Sequence, residues 1–235
     1  MKTYLALFAV LRFLPLQSQE QWLRPEHFYY SVRDLAKVQI VSRDSVLADP
    51  ISAWVLRPGM EHQEEVKKEI KDHLIILPLS EPGTYILLVQ SYHAKVLGQG
   101  TEQVHYDKTL LQVSHDFSES VTNYCGFNLE IVPEKNPAVS PENIRHAGLP
   151  KVRFRVYRYQ QAAGQLALFY RYTLPDGTEE TERLETDKKG WILVIRHPGA
   201  CVLYTAIPPT GTLPGLSASL SFEFSQFFNE KPPTQ

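Results

Sequence analysis

One pattern occurs twice in this chain. Leu77-Pro-Leu-Ser-Glu-Pro82-Gly83-Thr-Tyr85-Ile-Leu-Leu-Val-Gln90 and Leu193-Val-Ile-Arg-His-Pro198-Gly199-Ala-Cys201-Val-Leu-Tyr-Thr-Ala206 each run from an apolar stretch through Pro-Gly into a second apolar stretch. Pro-Gly punctuates strands, so each copy predicts a β-hairpin between two buried surfaces. An earlier turn precedes each copy at a similar distance, Pro58-Gly59 in the first and Asp176-Gly177 in the second. A duplicated unit predicts an all-β fold class made of two tandem antiparallel β-sandwich domains. At 235 residues and 43% hydrophobic content the chain has enough apolar material for two cores, each of about 100 residues.

Strand-like runs at Val38–Ser42, Ile51–Leu56, Leu74–Leu77, Thr84–Ser91 and Thr109–Val113 fill the first unit, 20–132. The stretch from Glu61 to His73 has helical composition, yet only Val66 and Ile70 are apolar, which predicts a charged connection. Prolines at 133, 137, 141 and 150 mark 133–150 as a linker, because proline lacks the backbone donor that helices and central strands need. In the second unit, 151–228, Val152, Phe154 and Val156 alternate with Lys151, Arg153 and Arg155. Leu220, Phe222 and Phe224 likewise alternate with Ser219, Ser221 and Glu223. Each strand therefore has one apolar face and one wetter face. Residues 229–235 read as a flexible tail.

Residues 1–19 have a basic start, a short apolar run, Pro15 and then small or polar residues, the order of a signal peptide cleaved near Ser18 or Gln19. A periplasmic, cell-surface or secreted location follows, with no membrane span in the mature chain. Export permits disulfides, so Cys125 and Cys201 are either bridged or buried thiols. A formal charge of −2 supplies no global field toward nucleic acid. Gly-x-Ser-x-Gly, phosphate-loop and His-Glu-x-x-His patterns do not occur, and the reading is non-enzymatic.

Histidine is the residue class with the clearest chemical suggestion. His105-x-Asp107 on a strand aims both side chains to one face, and His115 follows closely, so His105, Asp107 and His115 are candidate ligands for a divalent transition metal. Arg153, Arg155, Arg158 and Arg171, interleaved with Tyr157, Tyr159 and Tyr170, form either an acidic-polymer site or a solvated sheet face. Trp22, Trp54 and Trp191 read as core residues.

Trp22-Leu-x-Pro25, Glu81-Pro-Gly-Thr-Tyr-Ile, Lys108-Thr-Leu-Leu-Gln-Val113, Leu129-Glu-Ile-Val-Pro-x-x-Asn-Pro137, Thr186-Asp-x-x-Gly190 with His197-Pro-Gly199, and Ser219-Leu-Ser-Phe222 occur in this order. Together they resemble an exported bacterial family of unknown function often labelled nickel-uptake or nickel-transport accessory proteins. The resemblance implies a periplasmic or envelope accessory protein, with nickel or cobalt as the metal and a membrane transporter or envelope protein as the partner. It also implies an Ig-like or transthyretin-like second half. The alternative is a structural or adhesion module binding protein or glycan. Family members commonly carry a histidine just before the Trp-Leu, where this chain has Gln19-Glu20-Gln21, and another where Ala206-Ile207-Pro208 stands here. No ligand residues are therefore carried over from the family.

Overall fold

A computed structural model describes residues 20–43, 47–66, 70–93, 102–114, 124–138, 151–174, 176–197 and 199–224. Among these residues the chain is entirely strands and turns, and no helix is long and apolar enough to cross a membrane. The first half contains β1 (Gln21–Pro25), β2 (Tyr29–Tyr30), β3 (Leu35–Ser42), β4 (Asp49–Leu56), β5 (Glu64–Glu65), β6 (Ile70–Lys71), β7 (Leu74–Pro78), β8 (Gly83–His93) and β9 (Gln103–Val113). After it come β10 (Leu129–Pro133), β11 (Lys151–Arg158), β12 (Gln161–Ala162), β13 (Ala167–Thr173), β14 (Glu179–Glu185), β15 (Trp191–Ile195), β16 (Gly199–Ile207) and β17 (Gly215–Phe224).

These strands build three layers. A central sheet runs β14-β13-β16-β17-β9-β8-β4-β5, with β2 added beside β9. One outer sheet is β1-β3-β7-β6; the other is β10-β11-β12, with β15 also on β11. Alternation along β8 shows that the outer sheets cover opposite faces. Tyr85, Leu87 and Val89 join the core beneath the first outer sheet, while Ile86 and Leu88 join the core beneath the second. A strand covered on both sides has no wet face, so its sequence is a continuous apolar run rather than an alternation. All five of these residues are 0% exposed.

The internal repeat is a repeat of topology. β1, β3 and β7 form an outer sheet in the first half as β10, β11 and β15 do in the second, and the β4–β5 pair corresponds to β13–β14. The order of the central sheet is palindromic about β17 and β9, and these two strands pair in parallel, Gly215 opposite Gln103 through Ser221 opposite Thr109. Equivalent parallel neighbours are related by a two-fold axis along the strands, and such an axis exchanges the faces of the sheet. This places the two outer sheets on opposite sides. Pairing crosses the 133–150 segment in both directions: β10 bonds β11, and β17 bonds β9. Residues 139–150, the signal segment and the tail lie outside the described residues.

Neither Pro-Gly turn closes a hairpin, which corrects the expectation from the repeat. β7 pairs with β3 and β6, whereas β8 pairs with β4 and β9; β15 pairs with β11, whereas β16 pairs with β13 and β17. Each turn is an arch from an outer sheet to the central one. The cause is shared burial: Ile75 and Leu77 face Tyr85 and Leu87 across one core, as Ile192 and Val194 face Cys201 and Leu203 across the other. Gly83 and Gly199, at φ of 125° and 98°, supply the left-handed backbone that the arches require. The charged stretch after Glu61 contains the short strands β5 and β6 and no helix among its described residues, with Val66 only 5% exposed.

β9 carries adjacent buried charges on opposite faces. Lys108 points beneath β10, where its ammonium pairs with Glu130, each side chain being 1% exposed. The Glu130 carboxylate also accepts the Cys125 N–H, at 3.1 and 3.0 Å to its two oxygens. Asn136, the asparagine of the junction motif, donates to Thr84 Oγ1 at 2.9 Å and accepts from Gln112 Nε2 at 3.3 Å, fixing the chain after β10 to the central sheet. Glu130→Gln leaves Lys108 buried without its counter-charge, and we expect it to lower unfolding stability by about 3–5 kcal/mol. The double variant Lys108→Met/Glu130→Leu is expected to recover most of that loss in chemical denaturation.

Candidate functional site

The site is built on the polar stripe of β17. Alternation puts Leu216, Ala218, Leu220, Phe222 and Phe224 into the second core and Ser217, Ser219, Ser221 and Glu223 on the reverse face. That reverse face reads as wet from sequence, yet the three serines are 1–2% exposed. They form the seam with β9 and β1. Ser217 Oγ lies 2.7 Å from His105 Nδ1, Ser219 Oγ donates to Asp107 Oδ1 at 2.7 Å, and Ser221 Oγ donates to the Leu23 carbonyl of β1.

His105 and Asp107 do share one face, as their spacing predicted, and both are 1% exposed. The second Asp107 oxygen accepts from Gln21 Nε2 at 2.8 Å, and Gln21 Oε1 accepts the Ala48 N–H at 2.9 Å. Both carboxylate oxygens and His105 Nδ1 thus have side-chain partners, while buried His105 Nε2 has no hydrogen-bond partner. His115 lies outside the described residues. Among the described residues no group of three or more His, Cys, Asp and Glu is placed to hold a metal ion. Burial without a counter-charge raises the Asp107 carboxyl to about 7. Burial, reinforced by the His93 charge, lowers the His105 imidazole to about 4.

Beyond Ser221 the stripe opens into a groove of about 530 Å³. Residues 22–29, which are β1 and its continuation, make one wall; Arg171 and Thr173 of β13, Ala200 and Val202 of β16, and Glu223 make the rest. The Arg171 guanidinium stands 4.6 Å over the Trp22 ring and is held there by Glu20, whose carboxylate also reaches Arg43 at 3.5 Å. Residues 20 and 21 therefore perform structural work in this chain. One latches the groove wall and the other the seam.

All three tryptophans are half-buried; Trp54 packs against the second core, whereas Trp22 and Trp191, contrary to the sequence expectation, do not. Trp22 lines the groove, and Trp54 packs on Phe127 at 5.9 Å. Trp191 lies on the outer face of the second outer sheet, with Arg153 and Arg155 at 4.5 and 5.1 Å. The run of arginines and tyrosines that looks like one cluster in sequence is thus divided. Arg155 also stacks on Tyr157 at 5.2 Å, Arg158 stands over Tyr159 at 5.6 Å, Arg171 serves the groove, and Tyr170 is buried with its hydroxyl donating to the Ile195 carbonyl at 3.1 Å. Cys125 and Cys201 are not disulfide-bonded. Burial raises their thiols to about 11 and about 12, so neither is an activated nucleophile.

No family model matches the chain, and no curated protein matches it. Among solved structures, trypsin-activated alpha-2-macroglobulin from Escherichia coli is 12% identical with a TM-score of 0.24, covering 88% of this chain, which spans only 16% of that one. The D0-D1 domain of intimin is 10% identical with a TM-score of 0.25, covering 87% of this chain and 97% of that one. A tetra-tandem repeat in the extending region of a large adhesion protein is 9% identical with a TM-score of 0.24, covering 88% and 50%. At these values the description of the fold rests on the strand pairings above.

The seam has opposing pH dependences. Asp107, raised from 3.8 to about 7, lets the folded state hold a proton that the unfolded state releases, so its contribution falls as pH rises from about 4 to 7. His105, lowered from 6.5 to about 4, contributes in the opposite sense, losing stability as pH falls across that window. Asp107→Asn is therefore expected to give a stability that climbs with pH between 4 and 6.5. His105→Gln is expected to give one that declines toward pH 7, by up to about 4 kcal/mol. Urea denaturation at stepped pH measures both slopes.

Proposed function

We propose that this chain is a non-catalytic interaction module of the bacterial envelope or cell surface, and that the groove between β1 and the β13–β16 face engages a protein partner. The observation that carries the reading is the Trp22–Arg171 stack, locked by Glu20 and partly buried in the wall of a groove of about 530 Å³. Tryptophan and arginine dominate binding energy at protein interfaces when their geometry is fixed in advance. The strands that hold the pair belong to sheets buried on their other faces, so the groove is rigid before a partner arrives. Export, suggested by the order of residues 1–19, supplies the setting.

Retention of the purified protein on isolated bacterial envelopes tests this. Trp22→Ala is expected to reduce retention at least tenfold with an unchanged unfolding midpoint. Arg171→Lys, which keeps the charge and loses the planar stack, is expected to fall in between. Retention unaffected by Trp22→Ala would overturn the reading.

The family resemblance supports a rival, transition-metal handling with nickel or cobalt, and the unpartnered Nε2 of His105 is the atom that favours it. Calorimetric titration separates the two. Metal handling predicts nickel- or cobalt-binding heat that disappears in His105→Gln; a protein-binding groove predicts no such heat.

A further inference from the structure

The groove contains a carboxylate, Glu223, that no described side chain hydrogen-bonds or pairs with as an ion; the charged group it feels is the imidazole of His27, which lines the same groove. Glu223 continues the β17 stripe, but it has no hydrogen bond or ion pair with a described residue, unlike the three serines before it. Its backbone is opposite Ala200, whose small side chain leaves the space beside it open. Tyr29, in the same groove, has a buried hydroxyl without a hydrogen-bond partner. Two polar groups that accept hydrogen bonds are thus left unsatisfied next to an aromatic wall.

The two arginines of the groove are already committed elsewhere, which leaves His27 as the one titratable base near Glu223 among the groove residues. Arg171 pairs with Glu20, and Arg24 donates to Gln39 Oε1 at 3.0 Å. Of the other carboxylates, Glu26 lies 3.7 Å from Lys37, while Glu179 stands at the rim on β14. Residues 22–29 line one wall without interruption, from β1 through the turn into β2, so a partner segment lying along that wall meets consecutive residues of the chain.

Resting on the protein-binding reading above, we propose that this groove recognises an extended, basic segment of a partner polypeptide, with a lysine or arginine side chain seated between Glu223, Tyr29 and Trp22. The ammonium or guanidinium donates to the Glu223 carboxylate and the Tyr29 oxygen, and the aliphatic stem lies along the Trp22 ring. The second carboxylate at the rim, Glu179, receives the next basic residue of the segment. Burial raises the Glu223 carboxyl from its ordinary value, and the nearby His27 opposes that shift. With a net charge of −2, recognition depends on this local contact rather than on long-range steering.

Fluorescence anisotropy with an alternating lysine–serine octapeptide, its arginine analogue and its glutamine analogue tests the proposal on the full protein. Expected are saturable binding of both basic peptides, none of the glutamine peptide, and at least tenfold weaker binding to Glu223→Gln. Glu65→Gln, an exposed carboxylate of β5 outside the groove, is expected to bind as the unaltered protein does. Equal weakening by both variants, spermidine binding without peptide binding, or no binding of the basic peptides would overturn the proposal. Circular dichroism confirms that Glu223→Gln is folded, and Glu223→Asp, which keeps the charge on a shorter arm, is expected to retain part of the affinity. If Trp22→Ala abolishes envelope retention while no basic peptide binds, the protein-binding reading stands and the basic-segment inference falls.

Discussion

The parallel pairing of β17 with β9 is the constraint on which the rest of the molecule depends. It joins two topologically equivalent halves into one sheet, and a parallel join between equivalent strands forces the two outer sheets onto opposite faces. The joining strands are consequently covered on both sides over most of their length, and the polar groups buried there rely on protein partners. β9 meets this demand with two different solutions on adjacent residues. Asp107 is held by two neutral donors, Gln21 and Ser219, and Lys108 by a full counter-charge on Glu130. Neutral donors leave the acid easy to protonate, whereas the ion pair is costly to break from either side.

The two halves obey the same topology and differ in how they finish it. In each, an arch transfers the chain from an outer sheet to the central one, and the residue two positions after the arch glycine closes it. The Tyr85 hydroxyl accepts the Ser80 and Glu81 N–H groups at 3.1 and 2.9 Å, while Cys201 Sγ lies 3.5 Å from the Gly199 carbonyl. In the first half, Phe127 packs against Trp54 of β4 and Tyr106 of β9. Beside β1, the β13–β16 face meets the groove of Trp22, Arg171 and Glu223 instead. The candidate site therefore combines β1 of the first half with β13, β16 and β17 of the second.

Much of the strand content was legible because strands with one or two apolar faces signal themselves. The runs at 51–56, 74–77 and 84–91 fall within β4, β7 and β8. The start of β9, Gln103-Val-His-Tyr-Asp-Lys108, reads as extended only through the His105-x-Asp107 spacing, since the segment is polar and exposed in appearance. Its polar groups are buried only because partners distant in sequence, Gln21, Glu130, Ser217 and Ser219, arrive to satisfy them. For the same reason the serines of β17 read as a wet face. Trp22 and Trp191 read as core because tryptophan carries a large apolar surface; here that surface is covered by arginine guanidiniums rather than by core side chains.

The sequence by itself determined that the protein is all-β, that it consists of two related units, and where the main strands and Pro-Gly turns fall. Those features follow from local chemistry: side-chain periodicity, the missing donor of proline and the left-handed freedom of glycine. Only the tertiary structure decided that the turns are arches, that the two units share a sheet, and that the β17 stripe opens into a groove toward Glu223. Each of these depends on which strand lies beside which, and strand partners separated by about a hundred residues are chosen by cores closing on both sides of a sheet. No short window of residues contains that information.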